Sequence, residues 1–296
     1  MKFPTTGSRV SLRYRLSPAE LTDVIGVLEA VAPVLLVRTK SDGVVSVAPD
    51  AVISVREIPF KPVRTSEIRA LEHAQALAWP GTEQRWLDGW LLRAGGGFTS
   101  RANSAVPLDF SANLQTLPLI VDWYRERGLP AWLALPERLL PVRSAGVKDT
   151  KVLVRDASGD DPGGVELAAA PDGGWLATYE RDVPVEVLTA VVDGELVFAQ
   201  VPGVVVARGA VTPAPDGTRW LGISSVRVEP EQRRRGHARR VCGALLAWGA
   251  GRGAQGAYIE VETDNSAAVA LYESMGFRLH HRYRYVEAAA LVTPTI

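Results

Sequence analysis

Val226-Arg227-Val228-Glu229-Pro230-Glu231-Gln232-Arg233-Arg234-Arg235-Gly236-His237-Ala238-Arg239-Arg240-Val241 joins an extended run to a helical one through a short basic turn. The run from Trp220 to Val228 reads as a strand, and beyond the turn Val241, Leu245 and Trp248 recur at four- and three-residue steps, the period of one helix face. Strand, loop and helix start therefore follow in order. A helix N-terminus carries unpaired N–H groups and partial positive charge, and Gly236 and Ala238 keep bulk away so that the oxygens of an anion can approach them. Taken alone, Arg233, Arg234, Arg235, Arg239 and Arg240 read as a solvated basic face or a nucleic-acid patch. The whole chain balances 33 Lys and Arg against 33 Asp and Glu, so no global field draws a polyanion, nucleic acid is not expected, and a local anion site fits better.

Further on, Ala257 to Glu262 reads as a second strand, and Asn265 to Met275 as a helix closed by Gly276, with Asp264 or Asn265 as its cap. The R-x-x-G-x-A loop at Arg233 to Ala238, followed by E-V-E-T-D-N-S-A-A-V-A-L-Y-E-S-M-G-F ending at Phe277, resembles the GNAT N-acetyltransferase superfamily. Alone the loop is weak, because arginine and glycine are common at helix starts. Together with N-x-x-A-x-x-L-Y-x-x-x-G-F it is specific.

The resemblance implies acetyl transfer from acetyl-CoA to a primary amine in a small molecule, an amino acid or a protein, by direct attack in a ternary complex. Such a reaction must orient the cofactor, stabilise a tetrahedral oxyanion, and move protons off the amine and onto the departing thiolate. For orientation, the backbone of Val226, Arg227 and Val228 would pair with the pantetheine arm, and the N–H groups from Arg234 to Arg239, a stretch that includes Arg235, Gly236, His237 and Ala238, would take the diphosphate. Arg233 and Arg234 would add charge. A backbone N–H at Val226 or Val228 would face the oxyanion, and Asn265 would reach the pantetheine amide unless it only caps its helix. By the same resemblance Tyr272, seven residues into that helix and on the face of Asn265, protonates the thiolate; otherwise it is core beside Leu271 and Phe277. Glu260 and Glu262 share one strand face, and either is a candidate base, directly or through water, or a surface charge. His237 holds the variable position of the loop and is not expected to be a base. Of His280 and His281, alternation lets only one face the pocket, and no metal is implied.

At 296 residues with 47% hydrophobic content the chain is long enough for two or three globular domains. No apolar run reaches the ~20 residues that span a bilayer, Met1 to Thr6 shows no signal-peptide pattern, and a cytoplasmic protein without membrane contact is expected. The single cysteine, Cys242, lies on the apolar side of a helix, which excludes an intramolecular disulfide and reads as core. Residues 1–62 hold short β-rich runs (Val10 to Leu16, Val34 to Arg38, Val44 to Val47, Val52 to Arg56), one short helix opened by Ser17-Pro18-Ala19-Glu20, and a Ser41-Asp42-Gly43 turn; they read as a small β-barrel. Pro59, Lys61, Pro62 and Arg64 suggest a linker after it.

Residues 63–158 begin with a helix from Ser66 to Leu77. Trp86 to Arg93 and Phe98 to Val106 follow as strands around Gly95-Gly96-Gly97, read as a hairpin turn because neither helix nor lysine follows it. The remainder, Val121 to Trp123, the strand Ala131 to Leu135, a helix from Glu137 to Ser144 and the strand Val152 to Val154, echoes residues 248–286 in order. This first copy has Leu108 to Asn113 where the arginine–glycine loop should stand, so it reads as a degenerate half without a cofactor site beside the intact half, residues 159–296. A tandem of this kind behind a small barrel, with the W-L-D-G-W-L-L-R and F-T-x-R-A-N-S runs between Trp86 and Ser104, resembles an actinobacterial GNAT group labelled histone-acetyltransferase-like or N-acetylglutamate-synthase-like, whose barrel is described as Tudor-like. The expected fold is therefore α+β, a tandem GNAT (acyl-CoA N-acyltransferase) fold behind a small barrel that is a candidate contact for a protein partner. A regulatory acyl-CoA-binding protein without turnover is the alternative. Retention of Asn265 and Tyr272 favours the enzyme, while the acceptor and the oligomeric state are not written in any motif.

Overall fold

The computed structural model describes residues 3–4, 6–18, 20–39, 43–58 and 62–292, and the chain divides into two compact units, Met1–Pro62 and Val63–Ile296. In the first, β1 (Arg9–Ser17), β2 (Glu20–Ala30), β3 (Leu35–Arg38), β4 (Val44–Val47) and β5 (Val52–Glu57) form an antiparallel sheet in the order β4-β3-β2-β1-β5. Its outermost strands, β4 and β5, are joined by residues 48–51 alone, so the sheet must curl until its edges are close, around Val10, Leu12, Leu28, Leu35, Val37 and Val47. The helix expected after Ser17 is absent: Ser17 pairs with Glu20 across a turn, and Val24, Gly26 and Leu28 are buried at every second residue, the period of a strand. The Ser41-Asp42-Gly43 turn and the Pro59 and Lys61 part of the linker fall outside the described residues, apart from Gly43 itself.

The second unit contains α1 (Thr65–Ala78), β6 (Glu83–Leu87), β7 (Trp90–Ala94), β8 (Val106–Pro107), α2 (Leu117–Arg125), β9 (Trp132–Pro136), β10 (Val147–Asp156), β11 (Glu166–Ala168), α3 (Gly173–Tyr179), α4 (Val185–Leu188), β12 (Glu195–Val201), β13 (Val205–Pro213), β14 (Arg219–Val228), α5 (His237–Ala250), β15 (Gly256–Glu262), α6 (Ser266–Ser274), β16 (Arg278–Glu287) and α7 (Ala289–Val292). Two local expectations change. The hairpin turn sits at Asp88-Gly89, both at positive φ (44° and 83°), as a two-residue turn between right-twisted strands requires. Gly95 and Gly97 instead donate their N–H groups to Asn103 Oδ1 at 2.8 and 2.9 Å, and residues 98–104 are loop rather than strand. Glu137 to Ser144 is not a helix, because Arg138 is left-handed (φ 68°) and Pro141 offers no N–H.

The larger departure concerns the two halves. An eight-stranded sheet runs β11-β12-β13-β14-β15-β10-β16-β9. Thus β10, from the first half, pairs antiparallel with β15 of the second, and β16, from the second, pairs with β9 of the first. Each half has passed its last strand to the other. Residues 63–158 and 159–296 are therefore interleaved in one unit rather than separable at 158. At this seam a bulge between His281 and Leu279 lets both neighbouring histidines turn together, with their Nδ1 atoms 2.7 Å apart and His281 Nε2 2.7 Å from Glu72 Oε1 on α1.

Candidate active site

Two adjacent parallel strands part at the centre of the large sheet. β14 and β15 pair only from Trp220 to Ile223 against Gly256 to Ile259, and beyond that point they diverge. On its other side β14 stays bound to β13, but three residue steps on β14 (Ser224 to Arg227) match two on β13 (Val206 to Arg208), a bulge centred where Ser225 adopts φ 54°. Glu229 N–H donates to Val204 O of the β13 side at 2.9 Å, so strand alternation turns the backbone groups of Val228 and Val226 toward the edge that β15 has left. Val228 O accepts there from Arg233 Nε at 3.3 Å. The side chains of Val226 and Val228 pack against the core, so core and open edge use different parts of the same residues. Arg227 faces the β13 side, its guanidinium held by Thr178 O at 2.9 Å and by Glu180.

β14 leads through residues 229–236 into α5, which is seated by the buried Val241, Leu245 and Trp248. The turn is opened by two left-handed residues, Arg234 (φ 62°) and Gly236 (φ 84°), and a Cβ added at Gly236 would meet only open space. No side chain caps α5; its first backbone bond is Arg240 N–H to Gly236 O, and the N–H groups of His237, Ala238 and Arg239 have no acceptor among the described residues. Arg235 is bonded to Gln232 Oε1 at 3.1 Å and Arg239 to Ser274 Oγ at 2.6 Å, while the Arg234 guanidinium is exposed and has no partner among the described residues. Beside this turn a cavity of 510 Å³ is bordered by Gly236, Arg239, Arg240, Gly243, Ser274 and the segment Ser158 to Pro162.

Across the splay, Asn265 caps α6 by accepting from Ala268 N–H at 3.1 Å. Tyr272 lies on the buried side of α6, 6% exposed, edge-on to Phe277 at 6.0 Å, with no hydrogen bond to its hydroxyl among the described residues. Burial, and then the proximity of Cys242, raise its pKa; burial pushes the Cys242 thiol itself up to about 12. Both groups are held neutral, as a proton donor to a thiolate requires of Tyr272.

The two candidate bases differ. Glu262 is exposed. The Glu260 side chain is 6% exposed, and its Oε2 accepts from Arg101 Nη1 at 3.2 Å and from Tyr283 Oη at 2.9 Å. Arg101 lies 5.1 Å over the ring of Trp79, whose Nε1 donates to Ser224 Oγ at 3.3 Å at the point where the strands part. Burial is the largest influence on Arg101 and opposes its charge, but Glu260 together with Tyr283, Tyr285 and Tyr179 outweighs it and the net shift is upward; the Tyr283 hydroxyl is raised well above its ordinary value by burial and by Glu260. Sequence reasoning missed Arg101, Tyr283 and Trp79 as site residues, and the signal that bears on Arg101 is its place in the F-T-x-R-A-N-S run. His237 is half-buried at the start of α5, and His280 and His281 belong to the seam.

The C-terminal part of the probable histone acetyltransferase Rv0428c, as a family model, matches residues 65–286, and the model of the Rv0428c N-terminal Sm-like domain matches residues 4–56. The chain belongs to this family. The probable histone acetyltransferase Rv0428c of Mycobacterium tuberculosis is 49% identical to it over 298 residues, covering 98% of both chains. The uncharacterised N-acetyltransferase YobR of Bacillus subtilis is 26% identical over 255 residues, 74% of this chain and 98% of its own. Among solved structures, a GCN5-related N-acetyltransferase from Kribbella flavida superposes with a TM-score of 0.53 at 15% identity, over 75% of this chain and 94% of its own. The molecule is thus a GNAT-type N-acetyltransferase of α+β tandem fold, and the first unit is matched as Sm-like where a Tudor-like barrel was expected. Among the described residues of the acetyltransferase no helix is long and apolar enough to cross a membrane, and no cluster of metal-binding side chains occurs.

Proposed function

We propose that the acetyltransferase uses acetyl-CoA as donor and a primary amine as acceptor, by direct attack in a ternary complex. The observation that carries this is the alignment of the unpaired edge at Val226 and Val228 with the unclaimed N–H groups between Arg234 and Arg239, one suited to an amide-bearing arm and the other to its diphosphate. In the reaction the ammonium first loses a proton to Glu260, Glu262 or water. The nitrogen lone pair then bonds to the thioester carbon, and the carbonyl electrons move onto oxygen, facing an N–H of Val226 or Val228. Collapse breaks the carbon–sulfur bond, the Tyr272 hydroxyl protonates the thiolate, and the second nitrogen proton leaves by the route of the first. Asn265 would meet the pantetheine amide with the part of its side chain not used in capping.

The protein is read as a barrel module (residues 1–62) available to a protein partner, a degenerate half (63–158) without a cofactor site, and an intact half (159–296), acting in the cytoplasm. The description of the Rv0428c relative makes a protein lysine one candidate acceptor. Release of CoA thiol across amines, amino acids and basic peptides, together with acetyl-CoA titration, tests the proposal. Acetyl-CoA binding with no transfer to any amine would leave the non-catalytic, acyl-CoA-sensing reading.

A further inference from the structure

Three arginines point inward on the side of the splay away from α5, and two of them are consumed by the fold. Arg208 is fully buried, with Nε and Nη2 donating to Leu188 O, Ala78 O and Ala190 O at 2.7–2.9 Å. Arg93 is spent on Ser104 O, Ser104 Oγ and Trp79 O. Arg101 differs. Of the five donors of its guanidinium, a single one is used, on Glu260 Oε2, and 27% of the side chain is exposed. Its loop is tied in place by Lys148 Nζ, which donates to Ser100 Oγ at 2.7 Å.

Glu260 is unsatisfied in the complementary sense. Both of its hydrogen bonds fall on Oε2, and Oε1, the part of this largely buried side chain that is still accessible, has no partner among the described residues. Neither Oε1 nor the open guanidinium donors are sealed off, so both are accessible to a partner of the opposite kind. The open groups are neighbours on one ion pair, and Trp79, under Arg101, links them to Ser224, two residues before Val226, whose N–H is a candidate to face the thioester oxygen. A plain amine would satisfy Oε1 and leave the guanidinium open. An amine with a carboxylate a few bonds away would satisfy both at once, bidentate on the arginine.

Resting on the acetyl-transfer reading above, we propose that the acceptor is a small amine bearing a carboxylate, such as a free amino acid, with its nitrogen on Glu260 Oε1 and its carboxylate on Arg101. The degenerate half then supplies an acceptor-binding residue to the intact half.

The test is the initial rate of CoA thiol release by the full-length protein with acetyl-CoA, using the proteinogenic amino acids and β-alanine, their amides, the matching amines without carboxylate, and a lysine-containing peptide. The acids should exceed their amides and amines in kcat/KM by about 10- to 10²-fold, the worth of hydrogen bonds to a charged group. Arg101→Ala should erase that preference while leaving the acetyl-CoA dissociation constant unchanged by calorimetry, which also reports that the fold is intact. Arg101→Lys should restore part of it. Equal rates for acids and amines, preference for the peptide, or a preference that survives Arg101→Ala would overturn the inference. Acetyl-CoA binding with no carboxylate-bearing acceptor turned over would do the same, whereas failure of acetyl-CoA to bind would instead remove the parent reading.

Discussion

The two places where a strand hands over to a helix, β8 to α2 and β14 to α5, are built alike and solved in opposite ways. Before α2, Asp109 Oδ1 accepts from Ser111 N–H and Oγ–H at 2.9 and 2.7 Å, and Asn113 Oδ1 accepts from Gln115 N–H at 2.9 Å. The loop satisfies its own donors and carries an acid, whose pKa is lowered first by the Ser111 backbone bond. Before α5 two left-handed residues open the turn, no acidic side chain caps the helix, and the donors are left for something else. N–H groups filled from within, such as those of Ser111 and Gln115, are not open to an anion.

The largest expected break of this contrast is Gly236→Val, which should abolish acetyl-CoA binding in calorimetry. The new side chain enters open space in the free protein, so the fold survives with about 1–2 kcal/mol of left-handed strain, but in the proposed complex that space is needed by the diphosphate. Cys242→Ala, behind the loop, should bind normally; normal binding by Gly236→Val would reduce the turn to an ordinary helix start.

Next comes Tyr272→Phe, expected to lower kcat by about 10² to 10⁴ with little change in acetyl-CoA affinity, because it removes a proton donor and almost no apolar area. An unchanged rate where chemistry limits turnover would return Tyr272 to a purely core role.

Acetyl-CoA should bind once per chain and, at about 100 times its dissociation constant, stabilise the protein by about 2.7 kcal/mol. Two equivalent sites in calorimetry would show that the β8–α2 junction is not closed to anions.

The seam between the halves should show in acid. His280 is held down to about 3 by burial and then by the charges of His281, Arg278 and Arg138. Its folded value lies below its unfolded one, so its neutral form contributes fully above about pH 6.5 and the protein weakens as pH falls from there toward 3, by about 2 kcal/mol at pH 5. Urea midpoints against pH should be flatter for His280→Gln; parallel curves for variant and parent would remove this account. The smallest effect is that of Asn265→Ala, about 1 kcal/mol from the lost cap, or roughly 2–4 °C in Tm. A larger loss in acetyl-CoA affinity than in stability would support its contact with pantetheine.

What could be read from the chain follows from distance along it. The turn from Arg233 to Ala238 and the helix from Asn265 to Gly276 are local, and their glycines and caps are visible in a dozen residues. The Arg101–Glu260 pair spans 159 positions, and no local pattern announces it. Ser17-Pro18-Ala19-Glu20 carries the letters of a capping box, yet the β-branched run behind it makes a strand. The helix expected from Glu137 to Ser144 by analogy with the repeat is defeated by the left-handed Arg138 and by Pro141. The repeat revealed β10 and β16 as equivalent strands, but equivalence is the same whether each pairs at home or across the seam, so the exchange was invisible.

That exchange has a consequence for how the protein is made. When the ribosome has finished Val147 to Asp156, both edges of β10 lack a partner, since one belongs to Gly256–Glu262 and the other to Arg278–Glu287. At about 5–20 residues per second, the roughly 130 residues still to come keep that strand, with its apolar Val152-Leu153-Val154 stretch, waiting for about ten seconds. The first half leaves the tunnel unfinished, exposed to chaperones and to neighbouring nascent chains, and is completed only when Arg278–Glu287 has followed.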